Sequence, residues 1–380
     1  MKILHVVSYL HPHIGGIEQT ARDIMNALSE DPNVEQRAIC FASDRKTVSD
    51  TLDGVPVVRC GAFAKVSSQS LSFSYGRQLR RIMRTFAPDC VIFHYPNPFL
   101  ASALLRALKK RPACRLILWW HLDITKQRLL GKLFNGQTHR LLRRATRVIA
   151  TSPNYIEGSK FLPAYRDKCT VIPSCIRDSR LQITEDAAKK AREIRETYRG
   201  KIICCFFGRH VAYKGLEYLI DAAKMLDDRF VFLIGGSGEL TESYRTRAAD
   251  TPRIRFLGRL DDEDLHATLL ASDIFCFPSV TKNEAFGLAL AEAMYEGKPC
   301  VTFTIEGSGV NYVSIGGQTG LEVANRDTAA YADALRRLAE DGELRARLGA
   351  AAAARAKELF LFPRFADSVR GLVAATAEEK

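Results

Sequence analysis

Apolar positions along this chain fall in short runs that alternate with stretches of helical periodicity. Lys2–Ser8 reads as a strand, and Ile17, Ala21, Ile24, Met25 and Leu28 then recur on one helical face. Further runs predict strands at Arg37–Ala42, Val55–Cys60, Cys90–His94, Leu116–Trp120, Arg147–Thr151 and Thr170–Pro173. Helical patterns lie between them at Tyr75–Phe86, Phe99–Lys110 and Gln127–Arg144. Strands this short, separated by helices, predict a parallel sheet covered on both faces.

A polar, charged stretch from Arg177 to Gly200 interrupts the pattern, which then restarts. Strands are predicted at Lys201–Phe207, Phe230–Ile234, Ile254–Leu257, Ile274–Phe277 and Cys300–Phe303. Helices fit Gly215–Leu226, Asp262–Ala271, Phe286–Glu296, Thr328–Ala339 and Glu343–Leu359, with Pro363 before a last helix, Arg364–Ala375. The reading is an α/β chain of two doubly wound units, 1–175 and 176–362. Ligands of such sheets bind at the carboxyl ends of the strands, so a cleft between two such ends is the expected site.

The 380 residues suit two domains. No apolar run reaches the roughly 18 residues of a membrane-spanning helix. Met1–Ser8 lacks a long apolar core and a cleavage site and reads as a strand, not a signal peptide. The ten cysteines form no C-x-x-C pair, which favours buried, reduced thiols and a cytoplasmic location. Charge changes the picture more. The net charge is +12, yet residues 1–170 hold 26 Lys+Arg against 12 Asp+Glu, while the remainder hold 29 against 31. The basic excess lies wholly in the first half. Such a surface suits nucleic acid, anionic lipid or a phosphorylated substrate, or is simply solvated.

Five segments carry candidate chemistry. Glu284-Ala285-Phe286-Gly287-Leu288-Ala289-Leu290-Ala291-Glu292 follows a strand and opens a helix. Its two carboxylates would stand about 12 Å apart along a helix axis. Between them, amides near Gly287 and Leu288 would attract a diphosphate. Gly208–Gly215 places Arg209 and Lys214 at a strand–helix junction, suited to a departing phosphate. Gly235-Gly236-Ser237-Gly238 lets backbone approach a ligand. Gly15-Gly16 follows the first strand without forming G-x-G-x-x-G, which argues against a dinucleotide site. Trp119-Trp120-His121-Leu122-Asp123 ends a strand where functional residues collect. Taken singly, each also fits a structural reading: a helix-end charge, a basic loop, a tight turn, a core histidine. The acidic run Asp261–Asp264 reads as a helix cap, not a metal site.

In this order and context, the segments resemble the family 4 glycosyltransferases, a retaining family of the GT-B fold with two Rossmann-like domains. The resemblance spans nearly the whole chain, and its most specific part is the E-x7-E pattern at Glu284 and Glu292. It implies that Glu284 meets the donor sugar and Glu292 the ribose. Arg209 and Lys214 would hold the diphosphate, Gly15-Gly16 would lie beneath it, and His121 would face the sugar. Phe286, Gly287, Leu288 and Gly236 would border the donor, and Leu260 and Asp262 would meet the base. The N-terminal domain would take the acceptor and the C-terminal domain the donor, with residues 363–380 crossing back. WWHLDITKQ and ATSPNYIEGS are similar to enzymes that add mannose and related sugars to bacterial surface polysaccharides, which points to GDP-mannose. Ser174-Cys175-Ile176 stands where the family often has Asn-Gly.

No carboxylate is placed as a nucleophile, so front-face substitution without a metal is expected. The partners expected are a nucleotide sugar, a glycan or polyprenyl-linked acceptor, and an anionic membrane surface on the cytoplasmic side. A nucleotide-sugar epimerase of the same fold and a non-catalytic sugar-nucleotide-binding protein are the alternatives. A nucleic-acid-binding protein would leave the paired glutamates without a role.

Overall fold

The computed structural model describes residues 1–13, 15–66, 69–123, 128–177 and 182–378. Ile14 of the glycine loop, Gln127 at the predicted start of a helix, and 178–181 of the polar stretch lie outside the described residues. The chain forms two compact units, one of residues 1–151, 159–173 and 363–380, the other of 152–158 and 174–362.

The first unit begins β1 (Lys2–Val6), α1 (Gly16–Ser29), β2 (Glu35–Phe41), β3 (Val48–Leu52) and β4 (Val55–Cys60). A hairpin of β5 (Ala64–Val66) and β6 (Gln69–Leu71) precedes α2 (Tyr75–Thr85). Then come β7 (Cys90–Tyr95), α3 (Pro98–Leu108), β8 (Arg115–Trp120), α4 (Arg128–Arg144) and β9 (Arg147–Ala150). The short α5 (Pro153–Gly158) counts with the second unit, and β10 (Cys169–Val171) with the first. The sheet order is β10-β9-β8-β7-β1-β2-β4-β3, parallel except for β3. Every residue of β7 is buried, as a central strand covered on both faces requires.

The polar β3 is absent from the apolar pattern because it is an exposed edge strand. Its hairpin to β4 turns at Asp53-Gly54, with φ of 50° and 84°. That dipeptide is a hairpin signal in its own right.

The second unit contains α6 (Glu185–Thr197), β11 (Ile202–Phe207), α7 (Leu216–Lys224), β12 (Phe230–Gly235) and α8 (Thr241–Arg247). It continues β13 (Ile254–Gly258), α9 (Asp262–Ala271), β14 (Ile274–Phe277), α10 (Leu288–Tyr295) and β15 (Cys300–Phe303). It ends α11 (Val310–Val313), β16 (Gly320–Val323), α12 (Thr328–Glu340) and α13 (Gly342–Leu359). All strands are parallel, in the order β13-β12-β11-β14-β15-β16. The order reverses between β11 and β14, which opens a crevice at their carboxyl ends.

Two sequence expectations need correction here. The polar stretch after Arg177 contains a helix, α6. Thr184 caps it by accepting from the Ala187 amide at 3.0 Å, and Arg195 forks onto Asp273 at 2.9 and 2.7 Å. Its charged residues are partners of α9 and β14, not a linker. Pro363 lies inside the last helix, α14 (Phe362–Glu378), and not before it. A first-turn proline is tolerated because its missing amide has no intrahelical acceptor anyway. In the first unit α14 buries Phe365 against Trp119, ring centroids 6.0 Å apart.

Candidate functional site

In the second unit the loops after β11, β12 and β14 share one edge of the sheet. The loop 208–215 ends in a 3-10 turn, Ala212–Lys214, and Gly215 at φ 63°. A Cβ on Gly215 would overlap the Pro278 carbonyl, so only glycine lets this loop lie against the one after β14. The Val280 amide donates to the Tyr213 carbonyl at 3.0 Å across the same junction.

That contact brings Lys214 to Glu284. The two form an ion pair, with side chains 11% and 12% exposed. The Lys214 ammonium also lies 4.9 Å from the Phe277 ring centroid. Ser279 Oγ donates to Glu284 Oε2 at 3.4 Å, the Glu284 amide donates to the Thr281 carbonyl at 3.0 Å, and Ser308 Oγ donates to the Glu284 carbonyl. Glu284 is thus held at both its carboxylate and its backbone. Two groups assigned by resemblance to different parts of a donor meet each other directly. Arg209 is exposed beside them, donating to the Tyr213 hydroxyl at 3.1 Å.

Glu284 does not stand on a helix. Gly287, at φ 93°, caps α10, which starts only at Leu288. The 12 Å helical rise therefore does not separate Glu284 from Glu292, which lies half-buried in α10. The positive φ at Gly287 halts the helix, and a Cβ there would come within 3.1 Å of the Phe277 ring. Leu288 is half-buried as the first helical residue. Phe286 is directed elsewhere: it is buried edge-on against Phe360, centroids 5.3 Å apart, so its side chain packs the core.

Gly236 has φ 117°, and a Cβ on it would overlap the Gly208 carbonyl, so this glycine joins the loops after β11 and β12. Leu260 is half-buried beside Gly235. Asp262 is exposed at the start of α9. The cap is its neighbour Asp261, whose carboxylate accepts from the Asp264 amide at 2.8 Å, while Lys190 bridges Glu263 and Asp264 at 2.7 and 2.6 Å. The acidic run is a capped, ion-paired helix start, as its composition suggested.

In the first unit the loops after β1, β7 and β8 share a sheet edge. Gly15 caps α1 in an extended conformation, its carbonyl accepting from the Gln19 amide at 2.9 Å. A Cβ on Gly16 would meet nothing within 4 Å, so this exposed glycine is not required by packing inside the chain. His121 follows β8 and is buried. Its Nε2 lies 3.1 Å from His94 Nδ1, and the rings stack 5.3 Å apart. Burial pushes His121 down to about 3 and His94 well below the ordinary histidine range. Below His121, Trp120 Nε1 and Ser159 Oγ donate to Asp123 Oδ1 at 3.0 and 2.8 Å, pinning the loop.

Sequence reasoning missed His94, Asn97, Ser279 and Ser308. His94 and Asn97 had a signal: like His121, they lie at the carboxyl end of a central strand. Asn97 caps α3 through the Leu100 amide at 3.1 Å and donates to Ser8 Oγ at 3.0 Å, joining the loops after β1 and β7. Ser308 had none, because it reaches Glu284 from a loop 24 residues away.

Residues 188–355 match the family model for glycosyl transferases group 1, and residues 15–175 match the glycosyl transferase 4-like domain. The chain is 33% identical to the D-rhamnosyltransferase WbpZ of Pseudomonas aeruginosa, over 95% of this chain and 92% of that one. It is 28% identical to the O-antigen chain mannosyltransferase C of Escherichia coli over the full length of both. Among solved structures, sucrose-phosphate synthase from Thermosynechococcus elongatus matches with a TM-score of 0.78 at 18% identity, covering 99% of this chain and all of that one. Anabaena HepE in complex with UDP-glucose matches at 0.77 and 18%, with the same coverage. The two parallel α/β units, the loops at their strand ends and these likenesses together place the chain in the family 4, group 1 glycosyltransferases of the GT-B fold.

Proposed function

We propose that this glycosyltransferase moves a mannose-configured hexose from a nucleotide sugar, GDP-mannose or its 6-deoxy relative, to a glycan or polyprenyl-linked acceptor in bacterial surface-polysaccharide synthesis, with retention. The observation that carries the reading is the enclosed Lys214–Glu284 pair at the crevice between β11 and β14, flanked by Arg209 and the Gly236 turn. The names of the two full-length relatives support the sugar class: one is a rhamnosyltransferase and the other a mannosyltransferase of O-antigen chains. Glu284 receives the sugar hydroxyls, while Lys214, Arg209 and the α10 amides take the charge that grows on the departing diphosphate. Glu292 reaches the ribose, and Leu260 and Asp262 the base. The leaving phosphate takes the acceptor's proton, and two cationic side chains fill the place of a metal.

Calorimetry with GDP and UDP, followed by turnover of the matching nucleotide sugars, tests this. GDP should bind more tightly, transfer should persist in EDTA, and proton NMR of the product should show the donor's anomeric configuration retained. Inversion, or full loss in EDTA with rescue by magnesium, defeats the corresponding part.

The acceptor side of the proposal is a membrane-docked first unit. Arg77, Arg80, Arg81 and Arg84 of α2 face a groove of about 610 Å³ shared with Arg106, Lys110 and Arg111. Of the apolar residues of α2 only Met83 reaches the groove wall, while Leu79 and Ile82 are buried, as is Phe86. Outward apolar contact comes instead from Phe73, 82% exposed and stacked on Phe63 at 4.1 Å, just before α2. Each cation near an anionic surface contributes about 1 kcal/mol, falling off over a Debye length. Among the described residues no helix is long and apolar enough to cross a membrane. Co-sedimentation with anionic liposomes should weaken with salt and drop when the four α2 arginines become Ser. Phe73→Ser should lower the part that survives salt. Equal, negligible binding to neutral and anionic liposomes at low salt points to a soluble acceptor instead.

A further inference from the structure

His94 ends β7 with 1% of its surface exposed, and no hydrogen-bond partner among the described residues reaches its Nε2. Its Nδ1 lies 3.1 Å from His121 Nε2. Burial lowers the proton affinity of both rings, so both are neutral near pH 7 and a single proton lies between them. There are two ways to place it. If His121 Nε2 carries the proton, His94 Nδ1 accepts, and the proton of His94 sits on Nε2 as an enclosed N–H with no acceptor. If His94 Nδ1 carries it, His94 Nε2 is a bare lone pair, and His121 keeps its own proton on Nδ1.

The neighbouring His5 offers one comparison, beside an enclosed N–H without a partner at Trp119 Nε1, so the choice rests on the relative cost of the two orphans. Gln36 Nε2 donates to the Met25 carbonyl at 3.0 Å and to Ser29 Oγ at 2.9 Å, which turns Gln36 Oε1 toward His5. His5 Nε2 must therefore donate to that oxygen, and its enclosed, unpartnered Nδ1 is a bare lone pair. A buried N–H without an acceptor is the rarer and costlier orphan. The same choice at His94 leaves His121 Nδ1 protonated, and that nitrogen is not among the enclosed atoms that lack a partner.

We propose that His94 is a positioning residue that fixes the tautomer of His121, so that His121 offers Nδ1–H as a hydrogen-bond donor to a hydroxyl of the donor sugar. The proposal rests on the reading of His121 as a sugar-facing residue. It adds that His121 cannot serve as a general base, since its second nitrogen is already engaged by His94.

Long-range 15N–1H correlation spectra of protein labelled at histidine report the tautomer without any turnover, with the His121 signal assigned by its loss in His121→Gln. His121 should show a protonated Nδ1 and a bare Nε2. His94→Asn, whose side-chain amide offers a donor where Nδ1–H stood, should keep kcat within a few fold. His94→Leu, lacking that donor, should lower kcat by roughly tenfold with nucleotide binding unchanged. A His121 protonated at Nε2, or equal rates for the Asn and Leu variants, overturns the proposal. Undiminished transfer by His121→Gln would instead remove the sugar-facing reading, while the spectrum still decides the tautomer.

Discussion

Lys214→Ala should lower kcat on the order of a hundredfold or more, and Glu284→Gln should lose most transfer while still binding nucleotide. The geometry makes each substitution act twice. Lys214 and Glu284 are paired and almost enclosed. Removing one leaves the other as an uncompensated, nearly buried charge, which costs about 3–5 kcal/mol of stability. In the proposed reaction a bound diphosphate would offer Lys214 a second anionic partner and would free Glu284 for sugar hydroxyls. The pair therefore keeps both side chains in place before the donor arrives. The double variant Lys214→Met/Glu284→Gln separates the two effects. It should recover most of the lost thermal stability and none of the activity. Steady-state kinetics beside thermal unfolding checks this. A double variant that regains turnover would show that the charges serve folding alone, and an effect confined to KM would mean ground state and transition state are held equally. Arg209 provides the contrast. It is exposed, so Arg209→Ala should lower kcat with no comparable loss of stability.

The fold was legible wherever strands are buried on both faces, because a run such as Cys90–Tyr95 has to be apolar almost throughout. It was illegible wherever an element meets water. β3 carries Ser49, Asp50 and Thr51 and hides from a search for apolar runs, although Asp53-Gly54 marks its turn. α6 hides for a different reason. Its mean composition is strongly polar, and only the Thr184 cap and the acidic residues Glu185 and Asp186 in its first turn betray it.

For the site, sequence located the loops but not their contacts. The glycine turn at Gly236 was expected to approach a ligand, and Gly215 only closed the segment that carries Arg209 and Lys214. Each in fact meets a neighbouring backbone carbonyl, so they shape the crevice by letting loops touch. Phe286 lies inside the most specific motif yet points into the core, because motif spacing records order along the chain and not the direction of a side chain. Lys214 and Glu284 are 70 residues apart, and only the β11–β14 pairing, Cys204 opposite Ile274, makes them neighbours. His94 was passed over because a histidine inside an apolar strand reads as core. It is indeed buried, and what distinguishes it is the ring it touches.

Acid should unfold the first unit before the second. His5, His94 and His121 all bind protons less readily folded than unfolded, chiefly because burial disfavours the charged ring; His5 is held down to about 4 and His121 to about 3. The unfolded chain takes up protons first as pH falls, so stability is complete above roughly pH 6.5 and declines below it. Each group loses about 1.4 kcal/mol per pH unit until its folded value is reached. At pH 5 His5 and His121 together cost on the order of 4 kcal/mol, and His94 adds in the same direction, against a whole stability of about 5–15 kcal/mol for a typical domain. The second unit holds one such ring, His210, also lowered by burial. Its surface carboxylates, such as Asp250 held down by Lys224, give up their contribution only further into acid. Calorimetry should therefore show a transition that separates and moves to lower temperature between pH 6.5 and 5, while a second moves less. Limited proteolysis at pH 5 should cut within residues 1–151 first. A single transition at the same temperature at pH 7.5 and 5 would mean that these rings gain protons without opening the fold.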